Sequence, residues 1–169
     1  MAATGRSGGG IAPLLVLLDT AYDTASWHGP NLRGSLRGVS LDAAAWRPQR
    51  DAHNVWELLV HSAYWKYVAW RRLTRAARGS FPLEGSNFFE RPVEATAAAW
   101  RADLRLLETM HRQLRAAVAA TAPRTIGARL PGSRVTRLHL ITGVAAHDIY
   151  HAGQIQLLKK QHSRRRAGR

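Results

Sequence analysis

The segment AAHDIYHAGQIQLLKK, residues 145–160, sets His147 and His151 four residues apart in what otherwise reads as an apolar helix seam. Residues i and i+4 of a helix lie one above the other on the same face, so two imidazoles at this spacing can converge on a single point. The seam runs through Leu140, Val144, His147, His151, Gln154 and Leu158, the 4-3-4-3-4 spacing of a core stripe. An unsatisfied polar ring in such a stripe costs about 1–3 kcal/mol, so two rings beside Gln154 imply a local polar site. Position carries this inference. Eight histidines placed at random would give roughly 0.4 such pairs, and the bare spacing is weak evidence.

His61 supplies a third imidazole. It lies in HNVWELLVHSAYWKYVAWRRL, with Glu57, Leu58, Tyr64, Trp65 and Val68 as neighbours at helical spacing, a mixed face able to turn inward. Metal sites in helical bundles are built from inward-facing residues on separate helices. Three imidazoles without a fourth protein ligand describe an open site, which keeps a position for water or substrate. The same residues also fit core histidines hydrogen-bonded to Gln154, Tyr64 or backbone, and on residue types alone both readings stand. His111 lies on a candidate seam of the third helical segment and is a possible fourth ligand. His28, in the SWHGPN loop, could reach the mouth of the site, while His53, His139 and His162 fall before the helix, beside the seam and in the tail. His28, Glu57, Tyr64, Trp65 and Gln154 are the candidate substrate-side residues. Glu57 is the nearest carboxylate, and it is also placed to close a helix cap.

Several chemistries are excluded. HDIYH lacks the Glu that follows the first His of a zincin protease, and Asp148 points about 100° away from His147. There is no GxSxG elbow, no Gly-rich phosphate loop opening a helix and no zinc-finger spacing. The chain has no Cys, which removes disulfides, thiolate ligands and cysteine nucleophiles and leaves nitrogen and oxygen to hold any metal. Imidazole suits several divalent ions, with Zn or Ni expected first.

The elements that must position these residues are helical. A Gly-rich tail, residues 1–10, is expected to be disordered, and a first helix runs from about Ile11 to Ser26 with Pro13 in its first turn. Trp27 to Ser40 reads as a loop. Asn54 and Glu57 have capping-box spacing and open a second helix reaching about Ala77. A long loop, Arg78 to Pro92, leads to a third helix that stops before Pro123, and a fourth spans about Val135 to Gln161. No segment alternates with period two, so the fold class is all-α, a four-helix bundle over 11–161 followed by a basic tail, 162–169.

With 169 residues the chain suits one domain. Its formal charge of +14 comes almost entirely from arginine, since Lys occurs only at 66, 159 and 160. Spread along the chain without a nucleic-acid-reading motif, this charge makes specific nucleic-acid binding a poor reading, and the cluster KKQHSRRRAGR is a solvated tail. The run Ile11 to Leu18 is too short to span a bilayer and has no cleavage pattern, so no membrane anchor is expected and the location is read as cytoplasmic. A homodimer is left open.

Together, HNVWELLVHSAYWKY, GSFPLEGSNFFERP and GVAAHDIYHAGQIQLLKK, in this order and with a long helix between the last two, resemble the DinB-like superfamily of metalloenzymes. The likeness covers about Leu14 to Lys160. It implies a four-helix bundle of up-down-down-up topology and a metal held by one His from the second helix and an HxxxH pair from the fourth. The matching positions are His61, His147 and His151. Characterised relatives include S-transferases that use low-molecular-weight thiols such as bacillithiol or mycothiol, and a mycothiol-dependent maleylpyruvate isomerase. The resemblance therefore implies a metal-dependent enzyme acting on a small molecule by thiol-dependent transfer or metal-assisted hydrolysis, although a shared fold does not transmit a substrate. A metal-binding bundle without catalysis is the alternative.

Overall fold

A computed structural model describes residues 10–168. The expectation of disorder for the N-terminal tail falls, apart from Gly10, outside the described residues. Among these there are six α-helices and no strand: α1 Ile11–Tyr22, α2 Leu32–Ser35, α3 Leu41–Ala45, α4 Val55–Thr74, α5 Ala97–Ala119 and α6 Arg137–Ala167. No helix is long and apolar enough to cross a membrane.

Caps set most of the helix starts. Asn54 accepts from the Glu57 amide while the Glu57 carboxylate accepts from the Asn54 amide, so both arms of the expected capping box close at the start of α4. Thr96 and Thr136 accept from the Ala99 and His139 amides and fix the starts of α5 and α6. Helix α1 stops at Tyr22, short of the expected Ser26, where the amides of Asp23 and Thr24 both turn back to the Asp19 carbonyl.

Two expectations are corrected here. The segment Trp27 to Ser40 is not wholly loop, because α2 forms within it. The Asn31 side chain caps Gly34 and donates to the Thr24 carbonyl, and Leu32 and Leu36 are buried. Nor does the last helix end at Gln161. It continues to Ala167, since Arg and Ala favour helix, Arg164 to Arg166 complement the dipole in the last turn, and no breaker occurs before Gly168. His162, assigned to the tail from sequence, is buried against Trp46 and bonded to Asp42.

Four long helices form the core. Helix α4 packs on α5 and α6, and α1 packs on the same two. One apolar cluster gathers Trp56, Leu59, Leu107 and Ile155, and a second gathers Leu18, Leu114, Val118 and Ile141. Between these levels each long helix contributes one polar residue. Tyr22 of α1 stacks on His111 of α5 with ring centroids 3.7 Å apart. Lys66 of α4 bonds to His111 Nδ1 and pairs with Asp148 of α6. Both partners of this ion pair are completely shielded from solvent.

Candidate metal centre

Helix α4 presents His61 and α6 presents His147 and His151, the latter pair one turn apart on the face turned to α4. The Nε2 atoms of His61 and His151 lie 3.1 and 3.0 Å from Nε2 of His147. Three nitrogens about 2.1 Å from one tetrahedral ion would lie about 3.4 Å apart, close to this spacing.

The outer nitrogens show which tautomers these rings hold. His61 Nδ1 lies 2.8 Å from the Asn87 carbonyl, which can only accept, so Nδ1 carries the proton and Nε2 a lone pair. His151 Nδ1 lies 2.6 Å from Gln154 Oε1, and the Gln154 amide nitrogen is oriented by donating to the Tyr150 hydroxyl. His151 Nε2 is therefore also a lone pair. His147 has one proton to share between a buried, unpartnered Nδ1 and an Nε2 facing two lone pairs. No tautomer of three neutral rings satisfies all six nitrogens; one cation at the convergence point accepts every inward lone pair and leaves only His147 Nδ1 without a partner. The donor set thus fits a divalent ion with nitrogen ligands, its outer nitrogens held as second-layer partners hold them in histidine metal sites.

Charge on the rings is suppressed in the same sense. Burial lowers His147 to about 3, assisted by His151, His61 and Lys66, and lowers His151 to about 4 against the opposing bond to Gln154. His61 is also lowered by burial, against its bond to Asn87. All three are neutral and able to ligate at physiological pH.

A cavity of about 550 Å³ opens beside the triad, walled by Leu58, Phe88, Leu157 and Leu158, with His53 and Tyr150 at its sides. None of its lining residues is a carboxylate. Phe88 lies between two imidazoles, 4.0 Å from His61 and 3.6 Å from His53, nearly parallel to both.

Of the candidates named from sequence, the structure brings together His61, His147, His151 and Gln154. Trp65 stands behind them, its ring 6.3 Å from His61 and 6.2 Å from His147, and donates to Asn87 Oδ1. The others do not line the cavity. Glu57 is held by Arg47, His53 and the Asn54 amide, so burial, which would raise its pKa, is outweighed and the carboxylate stays ionised. Tyr64 packs against Tyr67, Phe81 and Phe89, bordering a separate cavity of about 620 Å³. His28 lies on an exposed loop. His111 belongs to the Lys66 network and is not a fourth ligand in the cluster.

Sequence reasoning missed Asn87, Phe88 and His53. Asn87 adopts a left-handed backbone conformation, φ 66°, which Asn tolerates better than most residues and which lets its carbonyl meet His61. An Asn followed by two aromatics in a loop otherwise rich in Gly and Pro was the available signal.

Among the described residues the fold is all-helical, and three imidazoles from two of its long helices meet beside a cavity in a group that could hold a metal ion. This chain belongs to the DinB superfamily, whose family model matches residues 25–155. No curated protein and no solved structure matches it.

Proposed function

We propose that this chain is a metal-dependent enzyme of small-molecule chemistry, with a divalent ion, Zn or Ni, held by His61, His147 and His151 and an open position facing the 550 Å³ cavity. The observation that carries the proposal is the convergence of three Nε2 atoms while Asn87 and Gln154 hold the outer nitrogens of two of the rings. The four long helices are read as a bundle of up-down-down-up topology. The chemistry such an ion supplies when bound is a nucleophile at neutral pH, from water or from an external thiol.

The chain's own residues favour the thiol. It has no cysteine, and no carboxylate lines the cavity to serve as general base for hydrolysis. Apolar walls from Leu58, Phe88, Leu157 and Leu158 offer contact to the hydrocarbon part of an electrophile. The reading is a thiol-dependent transferase using a low-molecular-weight thiol, set in the cytoplasm, where such thiols are kept reduced. The test is to titrate cobalt-loaded protein with glutathione, mycothiol and bacillithiol and to assay transfer to a generic electrophile. At least one thiol should produce a sulfur-to-cobalt charge-transfer band and metal-dependent turnover. Neither effect with any thiol contradicts the transferase reading and leaves metal-assisted hydrolysis or a non-catalytic site.

A further inference from the structure

A third cavity, of about 250 Å³, lies in the trough between α4 and α6 and shares His147 with the 550 Å³ cavity. Trp65, Leu140 and Val144 give it apolar walls, and Arg72 and His139 line its far end. Trp65, Ala69 and Arg72 follow His61 along one face of α4 at spacings of 4, 4 and 3 residues, so the trough extends the ligand face. From His61 to Arg72 the helix rises roughly 16 Å.

Several guanidiniums folded against this protein are neutralised by a carboxylate, while among the described residues the Arg137 side chain bonds only the Thr125 and Ala128 carbonyls. Arg47, Arg91 and Arg115 each hold a carboxylate, respectively Glu57, Asp103 and Asp19. Among the described residues no carboxylate lies within 4.0 Å of Arg72, whose one side-chain bond runs from Nη2 to Ser133 Oγ at 2.9 Å. Most of its five N–H donors remain available. The start of α6 lies at the same end and adds positive potential, but its first amides are already bonded, Arg137 to Ala128 O, Leu138 to Ile126 O and His139 to Thr136 Oγ1. A phosphate would find no free backbone N–H groups there. One planar guanidinium between apolar walls matches a carboxylate, which it can bind through two parallel bonds. The 550 Å³ cavity beside the triad, by contrast, has no Arg or Lys in its lining.

We propose that the cavity behind His147 is a receptor for the carboxylate of a small molecule, with Arg72 as its counter-charge. His147 is the one residue it shares with the cavity beside the triad, so the proposal does not rest on the metal-enzyme reading above. The carboxylate contact needs no metal, and this keeps the two separable.

The probes are 3-phenylpropanoate and its neutral amide, titrated calorimetrically into the full chain with and without metal. Wild type should bind the acid at least about tenfold more tightly than the amide, the effect of one charged hydrogen-bonded pair. Arg72→Gln should bring that ratio near unity while leaving the weaker amide binding in place. Gly143→Leu should abolish binding of both probes. A Cβ at Gly143 would meet no atom within 4 Å, so a larger side chain has room to enter the trough there, and circular dichroism checks that the variant stays folded. Equal affinity for acid and amide, no binding of either up to millimolar concentration, a ratio that survives Arg72→Gln, or binding that survives Gly143→Leu would each overturn the receptor. A chain that loads no metal yet shows the acid preference would sink the metal-enzyme reading and spare this one; a chain that loads metal without the preference would do the reverse.

Discussion

His61 and His147, 86 residues apart in the chain, face each other through their Nε2 atoms at 3.1 Å. With the His61 proton committed to the Asn87 carbonyl and His151 facing the same nitrogen of His147, the contact is an arrangement of lone pairs that a cation resolves. The remaining features of the site orient or shield this convergence.

Orientation by Gln154 is testable without touching a ligand. Gln154→Leu removes the acceptor from His151 Nδ1 and should weaken metal binding by about 10–100-fold, as loss of such a partner does elsewhere. Competition against a chelator measures it, with helical content as the control. Unchanged affinity would show that Gln154 does not hold the ring in its ligating tautomer.

The ion pair between Lys66 and Asp148 gives a stability prediction. Lys66→Met leaves the Asp148 carboxylate buried without its partner and should cost about 3–5 kcal/mol. The double variant Lys66→Met, Asp148→Leu should recover most of that loss, because two apolar side chains avoid the desolvation of both charges. Urea unfolding of the three proteins decides the matter. A double variant as unstable as the single would mean that the network contributes more than mutual neutralisation.

The dependence of stability on pH follows from His111. Burial, aided by Lys66 and Arg115, depresses this ring from 6.5 to about 2, so the folded chain refuses a proton that the unfolded chain accepts. Its contribution is fully present above about pH 6.5 and drains away as pH falls towards about 2, with a slope of at most about 1.4 kcal/mol per pH unit. His147 and His151 act in the same direction in metal-free protein. His111→Phe, which keeps a ring against Tyr22, should therefore flatten the acid limb of the stability profile. An identical acid limb in the variant would contradict a neutral buried His111.

His147 and His151 could be found in the sequence because their helical period places them on a core stripe, and His61 because it lies on a mixed helix face able to turn inward. The capping box did the same for the start of α4, where Asn54 and Glu57 needed only local chemistry. What escaped depends on contacts between distant segments. Asn87 meets His61 across a loop whose path no periodicity records, and Phe88 stacks on His53 and His61 for the same reason. Lys66 carried no signal of its role in the sequence, since its partner Asp148 lies 82 residues away. Tyr64 shares a helix with His61 yet turns to a different cavity, because spacing gives the angle between side chains and not what stands opposite.

The end of α6 separates packing from solvated charge. Deleting residues 163–169 should leave the unfolding midpoint and metal binding unchanged, since Ser163 to Gly168 are exposed. His162→Ala, one residue earlier, removes a buried ring bonded to Asp42 and should cost about 1–3 kcal/mol. Thermal unfolding of the two variants compares them. Equal losses would mean that the helix end contributes as one unit.

The central claim is tested most directly by metal analysis of protein purified without an affinity tag, alongside His61→Ala, His147→Ala and His151→Ala. Wild type should carry about one divalent ion per chain, and each variant should lose it while remaining largely helical. His111→Ala, outside the cluster, should retain it. Equal metal content in wild type and the three triad variants would contradict the account.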